Sequence, residues 1–214
     1  MEDILDTYAL VPDPKRPLVN LDEFSKQLLS EIAPRQAARP ASGEKPGRAR
    51  RYDAEYVREG SVSAFMIAAP HLGIRKTYVG ADGRRTSLDY AAVIEMICDE
   101  MFPEAEKIVL VQDNLNTHNP ASLYKAFAPE KARRLAAKIE WHYTPKHGSW
   151  LNIAEMEISV LARTALKGRI STIDKFRTML ECNSEQRNGD SKPVNWQFTS
   201  ADARTKLSKL YPPI

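Results

Sequence analysis

The stretch Lys107 to His118 reads KIVLVQDNLNTH, and its first half leaves the chain few ways to fold. Ile108, Val109, Leu110 and Val111 form an unbroken, mostly β-branched apolar run, the pattern of a strand buried on both faces beneath covering helices. Such a strand belongs to an α/β sheet. Beyond it stand Asp113, Asn114, Asn116, Thr117 and His118, so a carboxylate sits at the C-terminal edge of a central strand, where open α/β sheets gather their chemistry. Asp and Asn are also ordinary turn residues, and the motif alone reads equally well as a strand running into a polar turn.

A chain of 214 residues suffices for one sizeable core and fits one domain more readily than two. It has no apolar run long enough to span a membrane and no secretory signal at its start, so a cytoplasmic, bacterial setting away from membranes is expected. Cys98 and Cys182 lie in separate helix-like segments without zinc spacing, which argues against a disulfide framework or a structural zinc site. The net charge of +3 is too small to argue for nucleic acid. Its distribution says more. Between about residues 34 and 58, Arg35, Arg39, Lys45, Arg48, Arg50, Arg51 and Arg58 gather among Pro, Gly, Ala and Ser, giving an extended basic loop suited to phosphate contacts or a simple solvated loop.

In chain order, residues 1–16 read as a short acidic helical leader, and the domain is expected to run from 17 to 211. Pro17 to Glu23 forms a brief strand-like run with Asp22 where its apolar character stops. Asp22 is either a second carboxylate at a strand edge or the N-cap of an amphipathic segment Glu23 to Ile32, with Phe24, Leu28, Leu29 and Ile32 on one face. Ser61 to Ala69 and Ile74 to Gly80 predict a hairpin, and Thr86 or Ser87 caps a helix running to Pro103. A helical stretch opens at Asn119 and Pro120, is interrupted near Pro129 and reaches Lys138, and Ile139 to Thr144 alternates like another strand.

The segment Trp150 to Lys167 predicts a core-facing helix. At 100° per residue Leu151, Ala154, Ile158, Leu161, Ala162, Ala165 and Leu166 share one apolar arc; Glu155 falls inside it and Glu157 projects away. Glu155 is therefore expected to face the sheet, where a carboxylate needs a cation or donors.

Asp22, Asp113 and Glu155 then form a set of hard oxygen ligands suited to Mg²⁺ or Mn²⁺. Two such ions, roughly 4 Å apart, activate a water or a 3′-hydroxyl and stabilise the leaving oxygen of an in-line phosphoryl displacement. Three like charges brought together also raise one another's affinity for protons.

The motifs NLDEFSKQL around Asp22, IVLVQDNLNTH around Asp113 and HYTPKHGSWLNIAEMEI around Glu155 resemble those of DDE transposase catalytic domains from bacterial insertion sequences related to the mariner superfamily. The resemblance implies an α/β, ribonuclease H-like fold with a central mixed sheet flanked by helices. It also implies that Asp22, Asp113 and Glu155 are a catalytic, metal-binding triad. Asn114, His118, Asn152 and His147 become neighbouring groups that support the ligands or contact DNA. Arg48, Arg50, Arg51 and Lys146 are expected on the DNA backbone. Asn152 matches the asparagine that precedes the glutamate in the family, although the motif here reads LNIAE without the usual proline, and the gap from Asp113 to Glu155 is longer than in the mariner type. Implied partners are double-stranded DNA, as element ends and as a TA-containing target, and further copies of the chain assembled on it. Transposases of this group carry helix-turn-helix modules ahead of the catalytic domain; with the first candidate aspartate at residue 22, that DNA-recognition region is expected to be absent.

Two other readings remain. One is a non-catalytic DNA-binding or oligomerisation remnant of a transposase. The other is a zinc hydrolase using His118, His142, His147 and Asp113, which the spacing of His142 and His147 disfavours because it lacks the helical i, i+4 arrangement. Trp141, Tyr143 and Trp150 are candidates for stacking on unpaired bases or for packing.

Overall fold

The computed structural model describes residues 1–211 apart from Arg35, Glu44, Tyr52 and Ser191. Arg35, one of the basic residues read as a phosphate contact, thus lies outside the described residues. Five strands form one mixed sheet in the order β3-β2-β1-β4-β5. They are β1 (Leu18–Glu31), β2 (Tyr56–Ala69), β3 (Ile74–Tyr78), β4 (Ile108–Gln112) and β5 (Ile139–Tyr143). The first three are antiparallel neighbours, whereas β4 runs parallel to both β1 and β5. As the apolar run requires, every residue of β4 is buried.

Side-chain alternation along these strands divides the core. Val19, Leu21, Phe65, Ile67, Ile108 and Leu110 face α2 (Ser87–Glu95), α3 (Ala121–Ala126) and α4 (Pro129–Lys138). Val62, Ala64 and Met66 face α5 (Ile153–Thr164) and α6 (Ile173–Gly189). Further along that same side, Leu18, Val109 and Val111 pack with α1 (Glu2–Tyr8) and α7 (Ser200–Lys206). Within residues 1–16, Ile4, Leu5 and Tyr8 are buried in this third cluster. Thr86 and Asp89 close a capping box at the start of α2, and a π-turn at Met96–Met101 ends it. There Lys138 donates to the carbonyls of Cys98, Phe102 and Pro103.

Three expectations need correction. The residues from Glu23 onward do not turn into a helix: β1 continues to Glu31, paired with β2 throughout. Phe24 and Leu28, four apart, fit a strand face as well as a helical one, and pairing with β2 decides between them. They pack with Phe176 of α6. Second, the basic segment is a two-stranded arm. Isolated bridges join Gln36 to Arg51, Arg39 to Arg48 and Ser42 to Lys45, and its last residues, from Tyr56, belong to β2. A register shift at Leu28/Leu29, with Gly60 opposite at φ 109°, bends the ribbon below the arm. Arg169 fixes its root by pairing with Glu31 at 2.6 Å and donating to the carbonyls of Ala54 and Glu55.

The third correction concerns α5. Leu151 lies in a 3₁₀ turn before the helix and Leu166 lies beyond its end, so the buried face is rotated from the arc that the spacing predicts. The buried stripe is Ile153, Ala154, Glu157 and Leu161. Glu157 faces inward and Glu155 is exposed. The argument that an inward carboxylate needs cations holds, for the other residue: Glu157 pairs with Arg75 of β3 at 3.0 Å and with Arg187 of α6 at 2.7 Å.

Candidate metal centre

β1 pairs with β4 only from Leu18 to Asn20, opposite Val109 to Val111. Asp22 and Asp113 therefore stand just past the end of the same parallel pairing, two residues beyond Asn20 and Val111; alternation within β1 sends Asp22 toward the layer that holds α5, whereas Asp113 directly follows the last residue of β4. Glu155 occupies the third position of α5, in the first turn, beyond the N-cap Asn152. Asp22 responds to this convergence. Burial, the adjacent Glu23 and the charges of Asp113 and Glu155 push its carboxyl up to about 7, against one opposing bond from the Glu23 backbone N–H.

Asn152 ties these elements together. Its side-chain Oδ1 accepts from Ala154 N at 3.1 Å, capping α5, while Nδ2 donates to Leu21 O at 2.9 Å and to Asp22 Oδ2 at 3.3 Å. Behind it Asn20 donates to Asn152 Oδ1 at 3.2 Å and to the Tyr8 hydroxyl at 2.6 Å, which in turn donates to Leu151 O at 2.5 Å.

His118, expected beside the ligands or on DNA, is fully buried and so cannot reach DNA. Its Nδ1 lies 2.5 Å from Asp113 Oδ1, and its Nε2 lies 3.0 Å from Glu23 Oε2, an ion-pair contact off the line of an ideal hydrogen bond. Burial alone would lower its proton affinity, but the two carboxylates outweigh it and raise the imidazole to about 9. The same bond from His118, ahead of burial in the other direction, lowers the Asp113 carboxyl. Glu23, Asp113 and His118 offer atoms all within 4.8 Å of one another, the spacing of a metal site. An imidazole facing a carboxylate at each nitrogen has no lone pair to give, so this cluster reads as an ion-paired bridge.

Two clefts adjoin at Ser149. One, of 540 Å³, is lined by Asp113, Asn114, Lys146 and His147; the other, of 620 Å³, by Trp150, Asn152, Glu155 and Arg163. His147 takes a left-handed backbone, φ 63°, in the turn from Pro145 to Gly148, where a Cβ on Gly148 would meet Pro145 Cγ at 2.7 Å. Lys146, His147 and Asn114 are exposed on that rim. Trp150 is exposed too, whereas Trp141 is partly buried against the core.

Arg50 and Arg51 are exposed and Arg48 half-buried, all on the arm. The arm's root at Glu31 is nine residues from Asp22 along β1, about 30 Å at roughly 3.3 Å per residue, so these arginines do not join the carboxylates. Sequence reasoning missed Glu23, although it directly follows Asp22. Alternation turns it to the opposite face, toward His118.

Residues 18–177 match the DDE superfamily endonuclease family, and the chain belongs to it. Its fold is ribonuclease H-like, as in the crystal structure of the Mos1 strand transfer complex (TM-score 0.53, 13% identity, 86% of this chain and 51% of that one). A Mos1 mariner paired end complex with Mn is similar at TM-score 0.54 and 14% identity, covering 86% of this chain and 52% of that one. The chain thus spans about half the length of these structural relatives. No curated protein matches the sequence. Among the described residues no helix is long and apolar enough to cross a membrane.

Proposed function

We propose that the chain is the catalytic domain of a transposase, cleaving DNA strands at element ends and joining them to target DNA by 3′-hydroxyl attack. Three observations support this reading: the charges of Asp113 and Glu155 reach Asp22, Asn152 bonds Asp22 while capping the helix that carries Glu155, and Asp113 and Glu155 line clefts that share Ser149. The three carboxylates are not yet gathered at metal-ligand spacing, as the ligand atoms of Glu23, Asp113 and His118 are. Among the described residues neither Asp22 nor Glu155 pairs with a cationic side chain, and Asp22 holds its proton up to about 7. A hard, electron-rich, cation-deficient set of oxygens fits Mg²⁺ or Mn²⁺. Two bound ions would supply an activated water or 3′-hydroxyl and stabilise the leaving oxygen.

The chain's own residues do the rest. Asp22 gives up its proton when the site loads, Asp113 presents the oxygen that His118 leaves free, and Asn152 holds Asp22 in register with Glu155. Lys146 and His147, on the cleft that Asp113 lines, and the arm's Arg48, Arg50 and Arg51 contact the DNA backbone. The DNA partners, element ends and target, and assembly of several copies on DNA belong to the same reading, in keeping with the strand transfer and paired end complexes of Mos1.

The test is nicking of supercoiled plasmid by the full chain in Mn²⁺. Activity abolished by Asp22→Asn, Asp113→Asn and Glu155→Gln supports the reading. DNA binding without metal-dependent nicking favours the non-catalytic remnant.

A further inference from the structure

We propose that Glu23 is the positioning residue of the metal centre, orienting Asp113 through His118; the proposal rests on the reading of Asp113 as a metal ligand. The Glu23 side chain is 4% exposed and the His118 side chain 1%. A buried carboxylate is costly without partners, and this one has two. Arg85 Nη1 donates to Oε1 at 2.8 Å, and His118 Nε2 lies 3.0 Å from Oε2. On the other side of the ring, Nδ1 lies 2.5 Å from Asp113 Oδ1. Charges therefore alternate along one line: Arg85, Glu23, His118, Asp113.

The ring has little freedom within that line. It stacks on Tyr90 with centroids 4.8 Å apart and planes 23° from parallel. The Tyr90 hydroxyl donates to Gln112 Oε1 at 2.8 Å, and Gln112 Nε2 donates to the His118 carbonyl at 3.1 Å. Ring plane and backbone are thus fixed by Tyr90 and Gln112, while the remaining rotation, which decides where Nδ1 points, is held between the bond to Asp113 on one side and the ion-pair contact with Glu23 on the other. Asp113 Oδ1 also accepts from Leu115 N at 3.3 Å. With Oδ1 so engaged, Oδ2 is the oxygen left for an ion. A group hydrogen-bonded to a ligating carboxylate is a general feature around metal sites, worth roughly ten- to hundredfold in metal affinity; His118 is that group for Asp113, and Glu23 acts through it.

Sheet geometry explains why this residue follows Asp22 directly. Adjacent strand residues face opposite sides, so one dipeptide supplies a ligand to the α5 side and a support to the α2 side.

The test is Mn²⁺ titration of the full chain in wild type, Glu23→Thr, Glu23→Gln, His118→Asn and the Glu23→Thr/His118→Asn pair. Threonine suits a strand but does not reach His118, and asparagine at 118 keeps a donor for Asp113 without a second nitrogen for Glu23. Glu23→Thr is expected to weaken Mn²⁺ binding about ten- to hundredfold, and Glu23→Gln, which keeps an acceptor, about threefold at most. In the His118→Asn background the Glu23→Thr change is expected to add nothing. A folded Glu23→Thr chain within about twofold of wild type, or an undiminished loss in the His118→Asn background, overturns the proposal. Should Glu23→Thr not fold, Arg85→Ala, at a half-exposed position, is read instead: weakened binding supports the proposal and unchanged binding overturns it. The ring Nδ1–H proton resonance gives a readout without metal. If wild type binds no Mn²⁺, the metal reading fails by itself, and a slowly exchanging His118 proton that persists in Glu23→Thr still overturns the positioning role.

Discussion

Asn152 donates to Asp22 across the gap between α5 and β1, and the same side chain caps the helix that carries Glu155. Two candidate ligands from elements more than a hundred residues apart in sequence are thereby held by one amide. Its donor and acceptor ends do different work, which a carboxylate cannot imitate.

Asn152→Ala removes the cap and the donors to Leu21 O and Asp22, an expected loss of about 1–3 kcal/mol in urea unfolding. Asn152→Asp keeps a good capping acceptor yet turns two donor contacts into repulsions at a fully buried position, so it is expected to be at least as destabilising. Wild-type stability in Asn152→Asp would show that the bonds to β1 contribute nothing.

The rotation of α5 separates two glutamates. Glu157→Ala strands Arg75 and Arg187 without their shared carboxylate and is expected to cost about 3–5 kcal/mol, measured by denaturant unfolding. Glu155→Gln, at an exposed position, is expected to leave the midpoint unchanged while abolishing nicking. Reversed effects would restore the arc in which Glu155 faces inward.

Two groups make the metal-free chain weaker as pH rises. Asp22, raised to about 7, and His118, raised to about 9, both bind protons more tightly folded than unfolded. Folding thus loses stability from Asp22 as pH climbs from about 4 through 7. The His118 contribution, on the order of 3 kcal/mol, is full below about 6.5 and is lost as pH rises through about 9. Thermal melts between pH 5 and 9 check this: His118→Asn is expected to flatten the alkaline part, and Mn²⁺ at pH 8 to recover what Asp22 loses. Proton competition at Asp22 also makes Mn²⁺ binding about tenfold tighter at pH 8 than at pH 6.

On the arm, Arg51 and Gln36 exchange two backbone hydrogen bonds, which truncating the Arg51 side chain leaves in place. Replacing Arg48, Arg50 and Arg51 by Ala is expected to weaken DNA binding and to reduce the slope of log affinity against log salt by about 0.9 for each phosphate that is no longer neutralised. An unchanged slope would remove the arm from the DNA interface.

What the residues alone disclose is local. The run Ile108 to Val111 announces a buried strand, Thr86 or Ser87 announces a helix start, and the hairpin from Ser61 to Gly80 follows from its turn residues. What they do not disclose depends on distant partners. Pairing with β2 makes Glu23 to Glu31 a strand, and Arg75 and Arg187 make an inward Glu157 tolerable. Glu23 itself gives no signal, because its role exists only once His118 arrives beneath the neighbouring strand. The position of Asp113 at a strand edge is legible; the support behind it is not.

The central claim is that Asp22, Asp113 and Glu155 form a working divalent-metal site. Calorimetric titration of Mn²⁺ into the wild-type chain and into Asp113→Asn, in low salt with a short DNA duplex present, tests it most directly. Saturable binding in wild type that weakens markedly in the variant is the expected result. A folded wild type that binds no Mn²⁺, or a variant that binds it equally well, would contradict the claim.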